Sequence, residues 1–292
     1  MYRDEPSVWS ARGGAGATPW QSAEVQGVAA LRTSKGVIGM QAVADRRYVL
    51  LLMGGLIVLA WLTLWLWCQS PYGRWLHHDE LSRADLGNGL VVLVIVVGWT
   101  LMIVAMMLPT SLPLVALFYR LTRQRQDHAL LVGLLLAGYL SMWTVFGMVV
   151  HVGDGLLHSA VAQSAWLEAH AWAIGAGILV LAGLYQFTPL KYACLDKCRS
   201  PLSFITEHWR GNHERTQAFR LGMRHGLFCI GCCWSLMLLM FAVGVGNLGW
   251  MLVLGALMAI EKNLPWGRRI SAPLGVVLLC WGLALGLEAV LT

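Results

Sequence analysis

The amino-acid sequence predicts an all-α fold, a polytopic bundle of transmembrane helices. Apolar residues make up 58% of the 292 residues and charged residues only 12%, whereas a soluble domain carries about 25% charged residues. The apolar residues form runs of about 20, the length at which a helix crosses the hydrocarbon core of a bilayer. Lys and Arg fall mainly between these runs. Composition and spacing therefore favour a multi-pass membrane protein.

The first 46 residues differ from the rest of the chain. They are polar, they include the glycine-rich stretch 11–17, and they show no sustained hydrophobic period. Such composition is typical of disorder, and the basic, apolar and small-residue order of a signal peptide is missing. We expect residues 1–46 to be a disordered cytoplasmic tail and residues 47–292 to be the transmembrane helical domain.

Seven apolar stretches are candidate spans, so we expect about seven transmembrane helices. They cover approximately residues 48–68, 88–108, 129–150, 171–189, 224–244, 247–263 and 271–291. The fifth and sixth are separated only by the turn-like residues 244–247, which predicts an antiparallel hairpin of helices. The sixth stretch is the shortest.

The distribution of basic residues predicts the orientation of these spans. The basic loops follow the second, fourth and sixth spans, and they carry Arg120, Arg123, Arg125, Lys191, Lys197, Arg199, Arg210, Arg215, Arg220, Arg224, Lys262, Arg268 and Arg269. The loop 151–170 contains no Lys or Arg. By the positive-inside rule, the N-terminus is cytoplasmic, the C-terminus is external, and 190–223 is a basic cytoplasmic loop. These charges suit membrane topology and lipid headgroups, and no nucleic-acid motif accompanies them.

Cysteine and methionine are concentrated in the fifth span. Cys229, Cys232 and Cys233 lie in its first turns, and with Met237 they occupy one side of the predicted helix. Free cysteine can pack as a small hydrophobic residue. Thiolates and thioethers are also the ligands that select Cu(I), zinc or iron–sulfur centres.

The predicted topology brings other unusual residues to the same cytoplasmic layer. Each lies at the inner end of a span or just beyond it, and the complete set of candidate metal ligands is Cys229, Cys232, Cys233, Cys194, Cys198, Met106, Met107, Met237 and Glu261. The methionines favour copper, and zinc is the alternative because zinc sites prefer Cys, His and carboxylate. A charge at this depth is costly, so we expect Glu261 to be paired. Lys262 is expected to extend to the lipid headgroups.

The histidines give a separate signal. The external loops hold His77, His78, His151, His158 and His170. Imidazole suits Cu(II) and Zn(II), so these residues either capture metal outside the membrane or are ordinary polar residues of the interface. Inside the apolar layer the sequence predicts no histidine.

Five short motifs resemble those of the bacterial family of predicted metal-binding integral membrane proteins. They are Ala105-Met106-Met107-Leu108-Pro109, Pro189-Leu190-Lys191 with Cys194 and Cys198-Arg199, Gly231-Cys232-Cys233-Trp234 with Met237, Asn247-Leu248 with Trp250-Met251, and Glu261-Lys262. The resemblance covers about residues 95–267. It implies a metal-binding protein of the bacterial inner membrane. Members commonly carry Met-Asn where this chain has Gly246-Asn247, so a thioether ligand is not expected at that turn.

Three functions fit these observations. The first is a membrane-embedded copper-binding protein that transports the ion or delivers it to a membrane or soluble cuproprotein partner. The second is a membrane thiol oxidoreductase or a metal-dependent oxidoreductase, and the third is an accessory or assembly subunit of a larger membrane complex. No catalytic residue is assigned, and an enzymatic activity stays open.

Overall fold

The computed structural model describes residues 50–69, 89–170, 172–210, 213–243 and 247–291. Within these ranges the regular structure is entirely helical, and no strand is present, which confirms the predicted all-α class. The predicted tail 1–46, with His77 and His78 of the first external loop, lies outside the described residues. So does most of the turn predicted at 244–247.

The helices follow one another through short connections. In chain order they are α1 (Leu50–Gln69), α2 (Gly89–Met106), α3 (Leu108–Thr122), α4 (His128–Gln163), α5 (Ala165–Ala169), α6 (Trp172–Tyr185), α7 (Pro189–Arg199), α8 (Pro201–His208), α9 (Glu214–Val243), α10 (Leu248–Asn263) and α11 (Ser271–Leu291). A 3-10 turn at Gly267–Ile270 leads into α11.

Several helices are long and apolar enough to cross a membrane. In the described part of the chain these are α1, α4, α9 and the stretch Gly267–Ala289, and two bent helix pairs raise the number from 4 to 6. The sequence predicted about seven. The difference is α10, whose 16 residues extend about 24 Å, less than the hydrocarbon core of about 30 Å.

Two predicted spans, 88–108 and 171–189, end at a sharp bend into a second helix. The axes of α2 and α3 differ by 71°, and those of α6 and α7 by 65°. Pro109 lies in the first turn of α3, where a missing N–H is tolerated. At the second break Thr188 caps α7, because its hydroxyl accepts a hydrogen bond from the Lys191 backbone N–H at 3.3 Å, and Pro189 is the first residue of the helix. Both breaks lie beside candidate metal ligands.

Glycines allow α4 and α9 to pack with their backbones close together. A Cβ atom on Gly222 would lie 2.9 Å from the backbone nitrogen of Tyr139. On the facing helix, a Cβ on Gly138 would meet the backbone of Phe219. Only a residue without a side chain permits this approach, and the contact fixes the position of α9.

The segment predicted as a basic loop, 190–223, is largely helical. It contains most of α7, all of α8 and the first turns of α9. Lys197 of α7 pairs with Glu207 of α8 at 2.6 Å, and this ammonium group lowers the pKa of the Glu207 carboxyl. Arg268 pairs with Asp196 at 2.9 Å. These exposed pairs link the short helices at one end of the bundle.

Candidate metal centre

Three buried thiols line one face of α9. Cys229, Cys232 and Cys233 are at most 1% exposed, and their spacing of three and four residues places them on neighbouring turns. The Sγ atoms of Cys232 and Cys233 lie 3.1 and 2.9 Å from the carbonyl oxygen of Cys229. The cysteine stripe predicted from the sequence is therefore packed inside the protein.

A fourth thiol comes from α7. Cys198 packs against the core that contains Cys229 and Cys232, and its thiol is close enough to interact with both of theirs. It is partly exposed, whereas those two are buried. We call Cys198, Cys229, Cys232 and Cys233 the thiol cluster. Cys194, one turn earlier on α7, packs against the backbone of α9 instead: a Cβ on Gly231 would lie 2.6 Å from its sulfur.

The end of α10 inserts a cation into the thiol cluster. The Nζ atom of Lys262 lies 2.9 Å from the Cys229 sulfur and 3.8 Å from the Cys233 sulfur. It lies 4.0 Å from the Met107 thioether and 3.3 Å from the Thr110 hydroxyl. The expectation that Lys262 reaches the headgroups is wrong: the residue is 6% exposed because its side chain turns inward between α3 and α9.

Hydrogen bonds around the break between α2 and α3 hold this side of the cluster. The Met107 carbonyl accepts from the Thr110 hydroxyl at 2.7 Å and from the Tyr139 hydroxyl at 3.3 Å. The Tyr139 hydroxyl also lies 3.2 Å from the Cys229 sulfur. The break in the helix thus exposes a carbonyl that orients Tyr139 and Thr110 next to the sulfur atoms.

Glu261 is paired, as its depth predicts, but it faces away from the thiols. Its two carboxylate oxygens lie 2.9 and 3.0 Å from Nζ of Lys191, and the Ser271 hydroxyl donates to one of them at 2.7 Å. Lys191 also donates to Gln186. Consecutive helical residues point about 100° apart, which sends Glu261 and Lys262 to different surroundings.

The remaining candidate ligands lie in the same hydrophobic core. Met106 packs against Gly255 of α10, where an added Cβ would lie 3.5 Å from it. Met237 is fully buried one turn beyond Cys233 on α9. No group of three or more His, Cys, Asp and Glu side chains in the described ranges is arranged to hold a metal ion. Two thiols of the cluster, those of Cys229 and Cys233, instead contact the Lys262 ammonium group.

The structure adds a histidine to the surroundings of this cluster. His225 lies four residues before Cys229 on α9 and is 3% exposed. Its ring stacks on Tyr139 with centroids 5.5 Å apart, and its Nε2 lies 3.1 Å from the Ser111 hydroxyl. The prediction of no histidine in the apolar layer is wrong, because His225 is buried on α9. Its spacing of four residues from Cys229 already placed it on the face that carries the thiols.

Three of the external histidines, His151, His158 and His170, lie within the described residues. His151 is buried, and Nδ1 of His158 lies 3.1 Å from the Asp154 carbonyl oxygen. His170 stacks on Trp166 with centroids 4.5 Å apart. The latter two contacts are local, between residues one helical turn apart.

The donor atoms in and beside the thiol cluster are soft. Cysteine sulfur and the Met107 thioether are the ligand types that favour Cu(I). The Lys262 contacts show that these sulfur atoms surround a single positive charge at short range.

One comparison with known proteins identifies the family. The model of the PpoB2 family, described as copper chaperone, matches residues 96–285, a stretch that includes every residue of the thiol cluster. No curated protein and no solved structure matches the chain. This match supports the expected metal-binding family and is consistent with copper as the metal. The chain belongs to the PpoB2 copper chaperone family.

Proposed function

We propose that this protein binds Cu(I) in the thiol cluster at membrane depth and delivers it to a partner cuproprotein. The family supports a copper-related function, and three thiols of the cluster lie on α9, one of the helices long and apolar enough to cross a membrane. The proposal joins these two findings in one site. Its location would be the bacterial inner membrane, as a multi-pass protein.

The observation that carries the proposal is the position of Lys262. Its ammonium group is held between the Cys229 and Cys233 sulfurs and the Met107 thioether. Soft donors that already surround one cation offer a copper ion its preferred ligands. Cu(I) would take the place of this ammonium and bind Cys229 and Cys233, with Met107 beside them.

Exposure suggests the order in which thiols meet the ion. Cys198 is partly exposed, and it contacts the buried Cys229 and Cys232. A copper ion would bind first to Cys198 and then pass to Cys229 by exchange of thiolate ligands. The reverse exchange would return it to an acceptor protein. Each ligand exchange is short because the Cys198 thiol of α7 lies next to the Cys229 thiol of α9.

The predicted orientation supports a cytoplasmic opening. Thiols remain reduced in that compartment, and the basic residues of α7, Lys197 and Arg199, lie on the same side under the positive-inside rule. We therefore propose that the acceptor or donor of copper meets the protein near Cys198. A membrane protein or a soluble cuproprotein would fit this position.

The test compares copper binding by purified full-length variants. Cys229→Ser should lower the affinity for Cu(I) by at least about a hundredfold, since it removes the thiol that contacts Lys262, Cys198 and Tyr139. Competition with a Cu(I) chelator under reducing conditions measures the affinity. Cys280→Ser is the matched control, because Cys280 is an exposed thiol on α11.

Cu(I) bound by the wild type, lost in Cys229→Ser and kept in Cys280→Ser would support the proposal. A wild-type protein that retains no copper in this competition would contradict it. Equal loss in both variants would also contradict it, because the thiol cluster would then have no special role.

A second function is favoured by one contact. The Cys198 thiol meets the Cys229 and Cys232 thiols, so oxidation could join α7 and α9 by a disulfide, as a thiol oxidoreductase requires. Titration of free thiols before and after mild oxidation discriminates. Copper delivery leaves the seven free cysteines unchanged over its cycle, whereas a redox cycle removes two thiols per disulfide.

A further inference from the structure

We propose that Lys262 is a specificity-determining residue that makes the thiol cluster select monovalent over divalent soft cations. This inference rests on the proposed copper binding and adds what excludes zinc and similar ions. Thiolates alone do not provide that exclusion, because they also bind Zn²⁺ strongly.

The first step is the charge surrounding Lys262. In the described structure its Nζ atom contacts sulfur and hydroxyl groups, those of Met107, Thr110, Cys229 and Cys233. The neighbouring carboxylate, Glu261, is committed to Lys191 on the other side of α10. The positive charge of Lys262 therefore faces the thiol cluster, and the carboxylate beside it in sequence does not neutralise it.

The end of α10 that carries Lys262 stays in place when an ion enters the site. The residue belongs to the last turn of α10, and two contacts fix that end of the helix. Arg199 donates to the Glu261 carbonyl, and Asn263 donates to the Pro109 carbonyl at 3.4 Å. The ammonium can yield its place to an ion by rotation of its side chain, but its Cα remains beside the cluster.

The charge of Lys262 repels Zn²⁺ more strongly than Cu(I). Coulomb repulsion between Lys262 and a bound ion is proportional to the ionic charge, and burial weakens the screening by water. A divalent ion is repelled twice as strongly as a monovalent one. With the Lys262 ammonium still beside the cluster, Zn²⁺ adds one more positive charge to the buried site than Cu(I) does.

The ratio of Zn²⁺ affinity to Cu(I) affinity separates charge repulsion from a general role of Lys262 in thiol chemistry. If Lys262 only favoured the thiolate form of Cys229, its removal would weaken the binding of every thiophilic ion to a similar degree. Repulsion instead acts on the ratio of the two affinities. Loss of the charge should favour zinc relative to copper.

The experiment measures Cu(I) and Zn²⁺ affinities of the detergent-purified full chain by chelator competition. In Lys262→Met the ratio of Zn²⁺ to Cu(I) affinity should rise by at least about tenfold over wild type. Lys262→Arg keeps the charge and should keep the wild-type ratio. Lys197→Met is the matched control: it removes an exposed lysine, 41% accessible, from α7 and should leave the ratio unchanged.

Each outcome decides the inference. An affinity ratio that is unchanged in Lys262→Met, or that shifts equally in Lys197→Met, overturns the role of Lys262 in selectivity. If the wild-type protein still binds Cu(I), the proposed function stands. A wild-type protein that does not bind Cu(I) overturns both. If neither Lys262 variant folds, Ag⁺ and Cd²⁺ binding to the wild type decides: equal affinity for these two soft ions would overturn the inference.

Discussion

Two adjacent charged residues, Glu261 and Lys262, enter different environments at the end of α10. Glu261 forms a salt bridge with Lys191 in which both side chains are almost inaccessible, 2% and 0% exposed. Lys262 turns to the sulfur atoms on the other side. A buried ionic pair gains little over an apolar pair but is costly to break, because the remaining charge is left without a partner. The pair therefore fixes α7, and with it Cys198, relative to α10.

Replacing Lys191 by methionine should destabilise the protein by about 3–5 kcal/mol, because Glu261 would remain buried without its counter-ion. Thermal and denaturant unfolding in detergent measure the change. The double variant Lys191→Met/Glu261→Met should recover part of the loss, since it removes both charges.

The control for this prediction is the exposed pair of Lys197 and Glu207, which has a similar distance of 2.6 Å. Lys197→Met should change stability little, because water solvates both groups. Equal destabilisation by the Lys191 and Lys197 variants would contradict the argument that burial makes the first pair important.

At the scale of elements, small residues on α9 place the thiol cluster between two helices. Gly222 and Gly226 let α4 approach on one side, and Gly231 lets α7 approach on the other. The Tyr185 hydroxyl at the end of α6 donates to the Gly231 carbonyl. The cysteines lie between these two contacts, so close helix packing brings Cys198 to its partners.

Gly222→Ala should destabilise the bundle by about 1–3 kcal/mol, the range for overpacking, because its Cβ would lie 2.9 Å from the Tyr139 backbone nitrogen. It should also lower copper affinity, since Tyr139 borders Cys229. Unfolding in detergent and chelator competition measure the two effects.

Gly133→Ala on α4 is the control, because nothing lies within 4 Å of the added Cβ. Alanine also favours the helix there, so neither stability nor copper affinity should fall. If Gly133→Ala were as harmful as Gly222→Ala, close packing between α4 and α9 would not be the cause.

At the scale of the whole molecule, the two broken helix pairs bend next to the thiol cluster. Met107 lies at the bend between α2 and α3, and Thr188 precedes α7, which carries Cys198. Irregular backbone at membrane depth is tolerated where protein buries it or where it lines a cavity. In membrane transporters such discontinuous helices build the binding site. Here the first bend places Met107 beside Cys233 and Lys262, and the second precedes the helix that carries Cys198.

The orientation of the termini depends on whether α10 crosses the membrane. The positive-inside rule predicts a cytoplasmic N-terminus and an external C-terminus, which requires an odd number of crossings. Reporter fusions active on only one side of the membrane should therefore give opposite results at the two ends. Both termini in the cytoplasm would show that α10, with its 16 residues, returns to the side from which it enters.

The sequence by itself determined the helical class, the candidate sulfur ligands and the need to pair Glu261. These features follow from local composition, from the helical period and from the cost of a charge in an apolar layer. Tertiary structure decided that Cys198 rather than Cys194 meets the other thiols, that Lys262 turns inward and that His225 stacks on Tyr139. Periodicity gives the relative direction of side chains on one helix, but it does not give the angles at which helices cross or the course of a long side chain. Those depend on close contacts between distant segments, such as Gly222 with α4 and Gly231 with α7, which only the packed molecule contains.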